Sequence, residues 1–505
     1  MLQFRMSRQT VPLVLASLVV GMMLAVGSSQ AMGADRPNIL FAIADDWSAD
    51  HAGAYGCSWV KTPAFDRVAR EGVLFKHCFT SNPKCSPCRA SILTGRNTWQ
   101  LEEACCHFGL FPAKWAVYPD LLEESGYFVG YTGKGWGPGD FEAGGFSRNP
   151  AGPNFSEHRA PPPYRAMANV DYARNFEAFL EARESDQPFC FWYGGFEPHR
   201  DYEAGAGLRA GRDPQAVEVP SYYPDHPTIR SDLLDYGLEV EWFDTHLGRM
   251  LDHLESIGEL ENTIIVVTSD HGMPFPRVKG QIYDHGFRLP LAVRWGARVA
   301  PGRTIEDFLN VRDVAPTFLE AAGVPIPDSM TGQSFLKTLT GQGSGWVEPS
   351  RNRMLIGKER HDLGRPDDLG YPVRAIRTPE YLYIHNFEPD RWPVGNPETS
   401  YPNCDNSPTK TLLTFRFDEF YRLCFGKRPR EEFYVLADDP DCVTNRASDP
   451  ALRAVKESLR DEMESTLRAE GDPRMFGLGW MFDTYDYVGA RNHSYANWLN
   501  HHREE

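Results

Sequence analysis

Four apolar runs along the chain each end abruptly in side chains that can carry chemistry. Residues 38–44 run into Asp45-Asp46, and residues 127–131 into Thr132-Gly133-Lys134. Residues 189–193 lead through Gly194-Gly195 to Glu197-Pro198-His199, and residues 263–267 run into Ser269-Asp270-His271-Gly272. Continuous apolar runs of this length predict strands buried on both faces. Between them, residues 62–71, 170–183, 233–257 and 312–322 carry apolar positions at helical spacing. Alternation of this kind predicts an α/β fold with a large, mostly parallel sheet between helices. Such sheets bind ligands beyond the carboxyl ends of their strands, so the four polar strand ends are expected to share one cleft.

The pattern changes near residue 340. Gly341-Gln342-Gly343-Ser344-Gly345 reads as a linker, followed by short strands such as 381–385 and a late helix over 451–469. A catalytic domain over 36–345 and a smaller α+β domain over 346–505 are therefore expected. Residues 136–165, rich in Gly and Pro, read as a long surface loop. At the other end, Arg5 and Arg8 precede an apolar run over 11–26 and a small-residue exit at Ser29-Gln30-Ala31. This predicts a secretory signal peptide over 1–31, cleaved between Ala31 and Ala34; an uncleaved anchor is the competing reading. Export then ends in a periplasm or the medium, or in a lysosome in a eukaryotic host, with no membrane segment left after cleavage.

Charge narrows the partners. With 52 basic and 69 acidic residues the net charge is −17, which gives no overall attraction for nucleic acid or anionic membrane. An anionic substrate needs a local basic pocket. Export permits disulfides among the ten cysteines, though a chain this large does not need them for its core. Cys404 with Cys424 is a plausible pair and Cys105 with Cys106 an unlikely one, and connectivity is not readable from the sequence.

Two clusters of carboxylates at separate strand ends, Asp45-Asp46 and Asp270, suit a hard divalent cation. Each Asp taken singly is more ordinarily a turn or cap residue. The segment Cys85-Ser86-Pro87-Cys88-Arg89-Ala90-Ser91-Ile92-Leu93-Thr94-Gly95 predicts a helix with Cys85 at its N-terminus, where backbone N–H groups favour an anion. Arg89, one turn on, adds a fixed charge that can reach the same oxyanion. A low-pKa thiol or a redox Cys85/Cys88 pair fits these features equally.

Cys-x-Pro-x-Arg followed by four residues and Thr-Gly resembles the signature of the type I sulfatases, in the alkaline phosphatase superfamily. Cys85, Pro87, Arg89, Thr94 and Gly95 match every defining position. The resemblance runs from Arg36-Pro37-Asn38 to Phe433-Tyr434-Val435-Leu436, and implies an alkaline phosphatase-like fold. It implies oxidation of Cys85 to formylglycine by a formylglycine-generating enzyme, and a cation held by Asp45, Asp46, Asp270 and residue 85. His271 stands where many members carry Asn, and imidazole tolerates softer metals, so Ca2+ is expected, with Mn2+ or Mg2+ as alternatives. Lys134 and Lys279 are implied to bind sulfate oxygens, and His199 to protonate the leaving group. A His common shortly after Thr-Gly is Trp99 here, with His107 as a possible substitute or a structural residue.

Thr98-Trp99-Gln100-Leu101-Glu102-Glu103, the stretch Tyr131 to Gly139, and Tyr371-Pro372-Val373-Arg374-Ala375-Ile376-Arg377 look most like the heparan N-sulfatase group. The substrate this implies is a sulfated saccharide, with N-linked sulfate on glucosamine preferred. Arg360, His361, Arg365, Asp367 and Asp368 are expected to read the sugar at the cleft rim, against the plainer reading of a solvated charge cluster. The alternatives are an O-sulfatase on another polysaccharide, a phosphonate or phosphodiester hydrolase, and a non-catalytic glycan-binding protein on the same fold.

Overall fold

A computed structural model describes residues 36–416 and 418–502. The expected signal peptide lies outside the described residues. Among the described residues no helix is long and apolar enough to cross a membrane.

Seven strands form the large sheet: β1 (Asn38–Ala44), β2 (Val73–Phe79), β3 (Phe128–Gly133), β4 (Phe189–Gly194), β5 (Thr263–Ser269), β6 (Arg288–Arg294) and β7 (Arg303–Asn310). Their order is β3-β4-β1-β5-β6-β2-β7. Neighbours are parallel except where β6 inserts antiparallel between β5 and β2. The four apolar runs of the sequence are the adjacent strands β3, β4, β1 and β5. Register brings their carboxyl ends level: Gly133 pairs with Gly194, Ile43 with Gly194, and Ala44 with Ser269. The residues that follow, Lys134, Asp45 and Asp270, therefore leave the sheet side by side.

The main helices are α1 (Pro63–Glu71), α2 (Cys85–Thr94), α3 (Tyr118–Glu124), α4 (Tyr172–Ala182), the short α5 (Ala206–Arg209) and α6 (Pro227–Ser256). α6 begins earlier than its apolar periodicity predicts, because Pro227 suits the first turn and the His226 side chain accepts from Thr228 N. Every residue of β1 is buried, and alternation divides them between layers. Leu40, Ala42 and Ala44 pack with Phe176 of α4 and Phe243 of α6. Ile39, Phe41 and Ile43 pack with Ile92 of α2 and with Phe318. Burial on both faces explains why these strands read as unbroken apolar runs.

A second sheet follows, antiparallel, in the order β11-β10-β9-β8, built from β8 (Met354–Lys358), β9 (Val373–Arg377), β10 (Tyr381–Asn386) and β11 (Glu431–Val435). One of its faces packs Ile356, Ala375 and Ile384 on Phe79, Phe287 and Phe308 of the large-sheet region. Ile376 and Tyr383 pack on Leu459, Met463 and Leu467 of the helix Arg453–Ala469. Pro37–Glu505 forms one compact unit. Within the Gly- and Pro-rich 136–165 loop, Trp136 and Ala151 are buried, so the loop is partly packed rather than wholly superficial.

Candidate active site

α2 places Cys85. Lys84 is its extended N-cap, Cys85 its first residue, and Gly95 ends it in the left-handed region at φ 62°, which a glycine adopts without strain. All ten residues of α2 are buried, so the helix is a rigid post inside the protein. Cys85 lines a cleft of about 740 Å³ at the carboxyl ends of β3, β4, β1 and β5, together with Asp45, Lys84, Lys134, His199 and Lys279.

Around the Cys85 sulfur the strand ends converge. His271 Nε2 lies 3.3 Å from Cys85 Sγ, 3.0 Å from Asp46 Oδ1 and 3.7 Å from Asp270 Oδ1. Ligand atoms of Asp45, Cys85, Asp270 and His271 all lie within 4.8 Å of one another. His271 Nδ1 donates to the Gly272 carbonyl at 3.1 Å, which fixes the ring with Nε2 turned toward Cys85 and Asp46. Asp46 Oδ1 is buried without a hydrogen-bond donor aligned on it. His271 Nε2 and Asp46 Oδ1 face each other at 3.0 Å. Burial opposes charge on His271, but Asp270 and Asp46 outweigh it and push the imidazole well above its usual pKa. The same carboxylates with imidazole suit a divalent cation. Asp45, Asp46, Asp270 and His271 fit such an ion.

Cations of the chain surround these carboxylates. Lys134 Nζ pairs with Asp45 Oδ2, and Lys279 Nζ lies 2.7 Å from Asp46 Oδ2 and 2.9 Å from Asp405 Oδ2. Burial opposes charge on Asp46, but Lys279, His271 and His199 outweigh it and hold its carboxyl well below the usual range. For Asp45, burial is likewise outweighed by Lys134 and Arg89. Asp46 adopts φ 78°, a left-handed conformation that Asp tolerates better than most residues, and its N–H donates to Asp270 Oδ1 at 3.1 Å. This turn lets two consecutive residues, Asp45 and Asp46, both present carboxylates inward.

Arg89 differs from its expected role. It is fully enclosed, outside the cleft lining, and its donors are committed. Nε donates to Asp270 Oδ2 at 2.9 Å, and Nη1 to the carbonyls of Lys134 and Gly135 at 2.9 and 3.1 Å. Arg89 therefore holds the ends of β3 and β5 in place and does not reach into the cleft. His199 does reach it: Nδ1 lies 2.5 Å from the Arg200 carbonyl, which turns Nε2 inward, 4.0 Å from Asp46 Oδ2.

The expected sugar-reading cluster is placed elsewhere. Arg360 donates to the carbonyls of Tyr485 and Asp486, and Arg365 to those of Trp392 and Pro393. His361 is buried, with Nε2 2.7 Å from Asn82 Oδ1. Asp367 is exposed, and Asp368 pairs with Arg491 at 3.0 Å. None of the five lines the cleft. The two guanidinium groups fasten loops, which spacing along a chain cannot distinguish from ligand recognition. The adjacent Asp362 does line it, pairing with Lys84 at 3.0 Å and with His107 Nδ1 at 2.7 Å. Lys84, Asp362, Asp405 and Glu239, which also line the cleft, are not among the residues the sequence singles out. Only Lys84, beside Cys85, carried a signal that adjacency would have revealed. The expected Cys404–Cys424 disulfide is absent: both are buried free thiols, as are the other described cysteines apart from the half-buried, also free, Cys57.

Comparison with known proteins agrees with this geometry. Residues 37–324 match the family described as Sulfatase, and residues 275–393 match that described as N-sulphoglucosamine sulphohydrolase, C-terminal. An ulvan-active sulfatase of Formosa agariphila is 27% identical over 87% of this chain and 81% of its own. The human N-sulphoglucosamine sulphohydrolase is 26% identical over 89% and 91%. Among solved structures, the phosphonate monoester hydrolase of Agrobacterium radiobacter superposes with a TM-score of 0.64 at 19% identity, covering 86% of this chain and 96% of that one. That last likeness concerns the alkaline phosphatase-like fold alone. A match over more than half the chain, spanning Asp45, Cys85 and Asp270, shows that this protein belongs to the sulfatase family.

Proposed function

We propose that this sulfatase, with Cys85 oxidised to formylglycine, removes sulfate from a sulfated saccharide, and that N-linked sulfate on glucosamine is its preferred group. The observation that carries the reaction is the placing of Cys85 Sγ, 3.3 Å from His271 Nε2, in a cage of Asp45, Asp46 and Asp270 edged by Lys134 and Lys279. Preference for N-sulfated glucosamine is supported by the C-terminal family match over 275–393 and by the human relative.

In this reading a cation held by Asp45, Asp46, Asp270 and His271 supplies positive charge that makes an oxygen on residue 85 more acidic. The chain's own groups do the rest. Lys134 and Lys279 line the cleft on either side of residue 85 and neutralise the sulfate oxygens. A hydroxyl of the hydrated aldehyde attacks sulfur as the S–N bond breaks, or the S–O bond in an ester. His199 Nε2 faces the cleft and delivers a proton to the departing nitrogen or oxygen. The second hydroxyl then loses its proton, the carbonyl reforms, and sulfate leaves; water restores the hydrate. Arg89 acts by positioning, since its donors go to Asp270, to Asp45 and to two carbonyls.

An O-sulfatase is the second reading, favoured by the ulvan-active relative, whose identity matches that of the human one to within a percentage point. The test uses protein purified from a host that matures sulfatases. Conversion of Cys85 lowers the mass of its peptide by about 18 Da. Inorganic sulfate release is then measured on N-sulfated glucosamine, 6-O-sulfated glucosamine and ulvan fragments. Fastest release from the N-sulfated sugar is expected. Fastest release from an O-sulfated one establishes the second reading, and a persistently unmodified thiol in the native host refutes both.

A further inference from the structure

One face of α6 carries Asp232, Asp235 and Glu239, at spacings that place them in a row, and each is at least 96% buried. Two of these carboxyls are saturated by the chain. Asp232 takes both Nη groups of Arg200 at 2.8 and 2.9 Å and the Thr409 hydroxyl at 2.6 Å. Asp235 takes the backbone N–H groups of Gly205 and Gly207 at 2.7 and 2.8 Å. Glu239 has no hydrogen-bond or ion-pair partner among the described residues, and it lines the cleft that holds Cys85. Its neighbour in the lining, Glu197, makes the contrast plain: it accepts from Ala168 N at 2.9 Å and from the Tyr172 hydroxyl at 2.8 Å.

A carboxyl without a partner inside the protein can still be met by a group in the cleft it faces. A fold that satisfies its two neighbours on the same helix face leaves this one for a group that arrives with the ligand. We propose that Glu239 is a specificity-determining residue that binds an unsulfated hydroxyl of the saccharide whose sulfate lies at Cys85. This rests on the saccharide reading above. Burial, with Glu197 and Asp235 nearby, pushes the Glu239 carboxyl up to about 9. At neutral pH it is therefore an uncharged acid, able to donate one hydrogen bond and accept another, as a sugar hydroxyl requires. An ammonium or a metal ion would call for the ionised form instead.

The test compares kcat/KM on the preferred sulfated saccharide with kcat/KM on 4-nitrophenyl sulfate, which has no sugar hydroxyl. In Glu239→Leu the saccharide-to-aryl ratio is expected to fall about tenfold, whereas Glu239→Gln, which also donates and accepts, stays within about twofold of wild type. A ratio unchanged in Glu239→Leu overturns the inference. Should that variant not fold, wild-type enzyme decides the matter with saccharides whose hydroxyls are replaced by hydrogen one at a time. One analogue is expected to lose about tenfold, and equal turnover of every analogue overturns the inference. If wild type cleaves the aryl ester but no saccharide, the saccharide reading itself has failed, an outcome separate from intact saccharide turnover with an unaffected Glu239→Leu.

Discussion

Arg89→Lys separates charge from geometry at the centre of this site. The substitution keeps one positive charge near Asp45 and Asp270 but removes the planar fork that contacts four groups at once, Asp45, Asp270 and two carbonyls. A lysine ammonium that stays with Asp270 cannot also reach the carbonyls of Lys134 and Gly135, which lie in the buried interior at the end of β3. The Lys134 carbonyl keeps the Trp192 indole N–H as a donor at 3.0 Å, so the Gly135 carbonyl alone is left without one, at a cost of about 1–3 kcal/mol. Arg89→Met removes the charge as well, and breaking a buried ion pair adds about 3–5 kcal/mol. Urea denaturation followed by tryptophan fluorescence, in excess chelator so that bound metal does not mask the difference, gives both values. The expected order of midpoints is wild type, then Arg89→Lys, then Arg89→Met. Activity of Arg89→Lys should fall too, because Lys134 follows directly on the strand end that Arg89 holds. An Arg89→Lys protein within about 1 kcal/mol of wild type would refute the reasoning, since charge alone would then suffice.

Other outcomes follow from the same geometry. Lys279→Met should lower kcat/KM by about a hundredfold or more, the usual effect of removing a preorganised group that stabilises developing charge, while the Cys85 peptide keeps its modified mass. Chelation should lower the thermal midpoint, and added Ca2+ or Mn2+ should restore it; Asp46→Asn, which replaces a facing carboxylate, should abolish that response, and an equal response in the variant would contradict the ligand set. Acid should destabilise the fold through His51, His77 and His246, each depressed by burial to about 4. Their neutral forms contribute stability that is complete above about pH 6.5 and lost as pH falls toward 4, because the unfolded chain binds the extra protons. The urea midpoint should therefore drop between pH 7.5 and pH 5, and His51→Gln should flatten that slope; a slope unchanged from wild type would remove His51 from the account.

The sequence alone determined most of the layer structure and the reaction class. Runs such as Asn38–Ala44 are unbroken because both faces of a central strand meet apolar layers, so each run announced a strand and its polar end. Cys85, Pro87, Arg89, Thr94 and Gly95 lie within one helix and its cap, and a local motif is readable locally. Where β6 enters antiparallel, the expectation of a mostly parallel sheet held for its neighbours, but strand direction within a sheet depends on pairing across more than two hundred residues. Only the tertiary structure showed that Arg89 is a brace and that Arg360 and Arg365 fasten loops. A guanidinium on a carbonyl and one on a ligand look the same along a chain. Asp362, Asp405 and Glu239 gave no signal either, because each acquires its role from partners, or from the lack of one, contributed by elements remote in sequence. Residue type and spacing fixed what chemistry was available; packing decided which charged groups the chain already satisfied, and so which remain for a substrate.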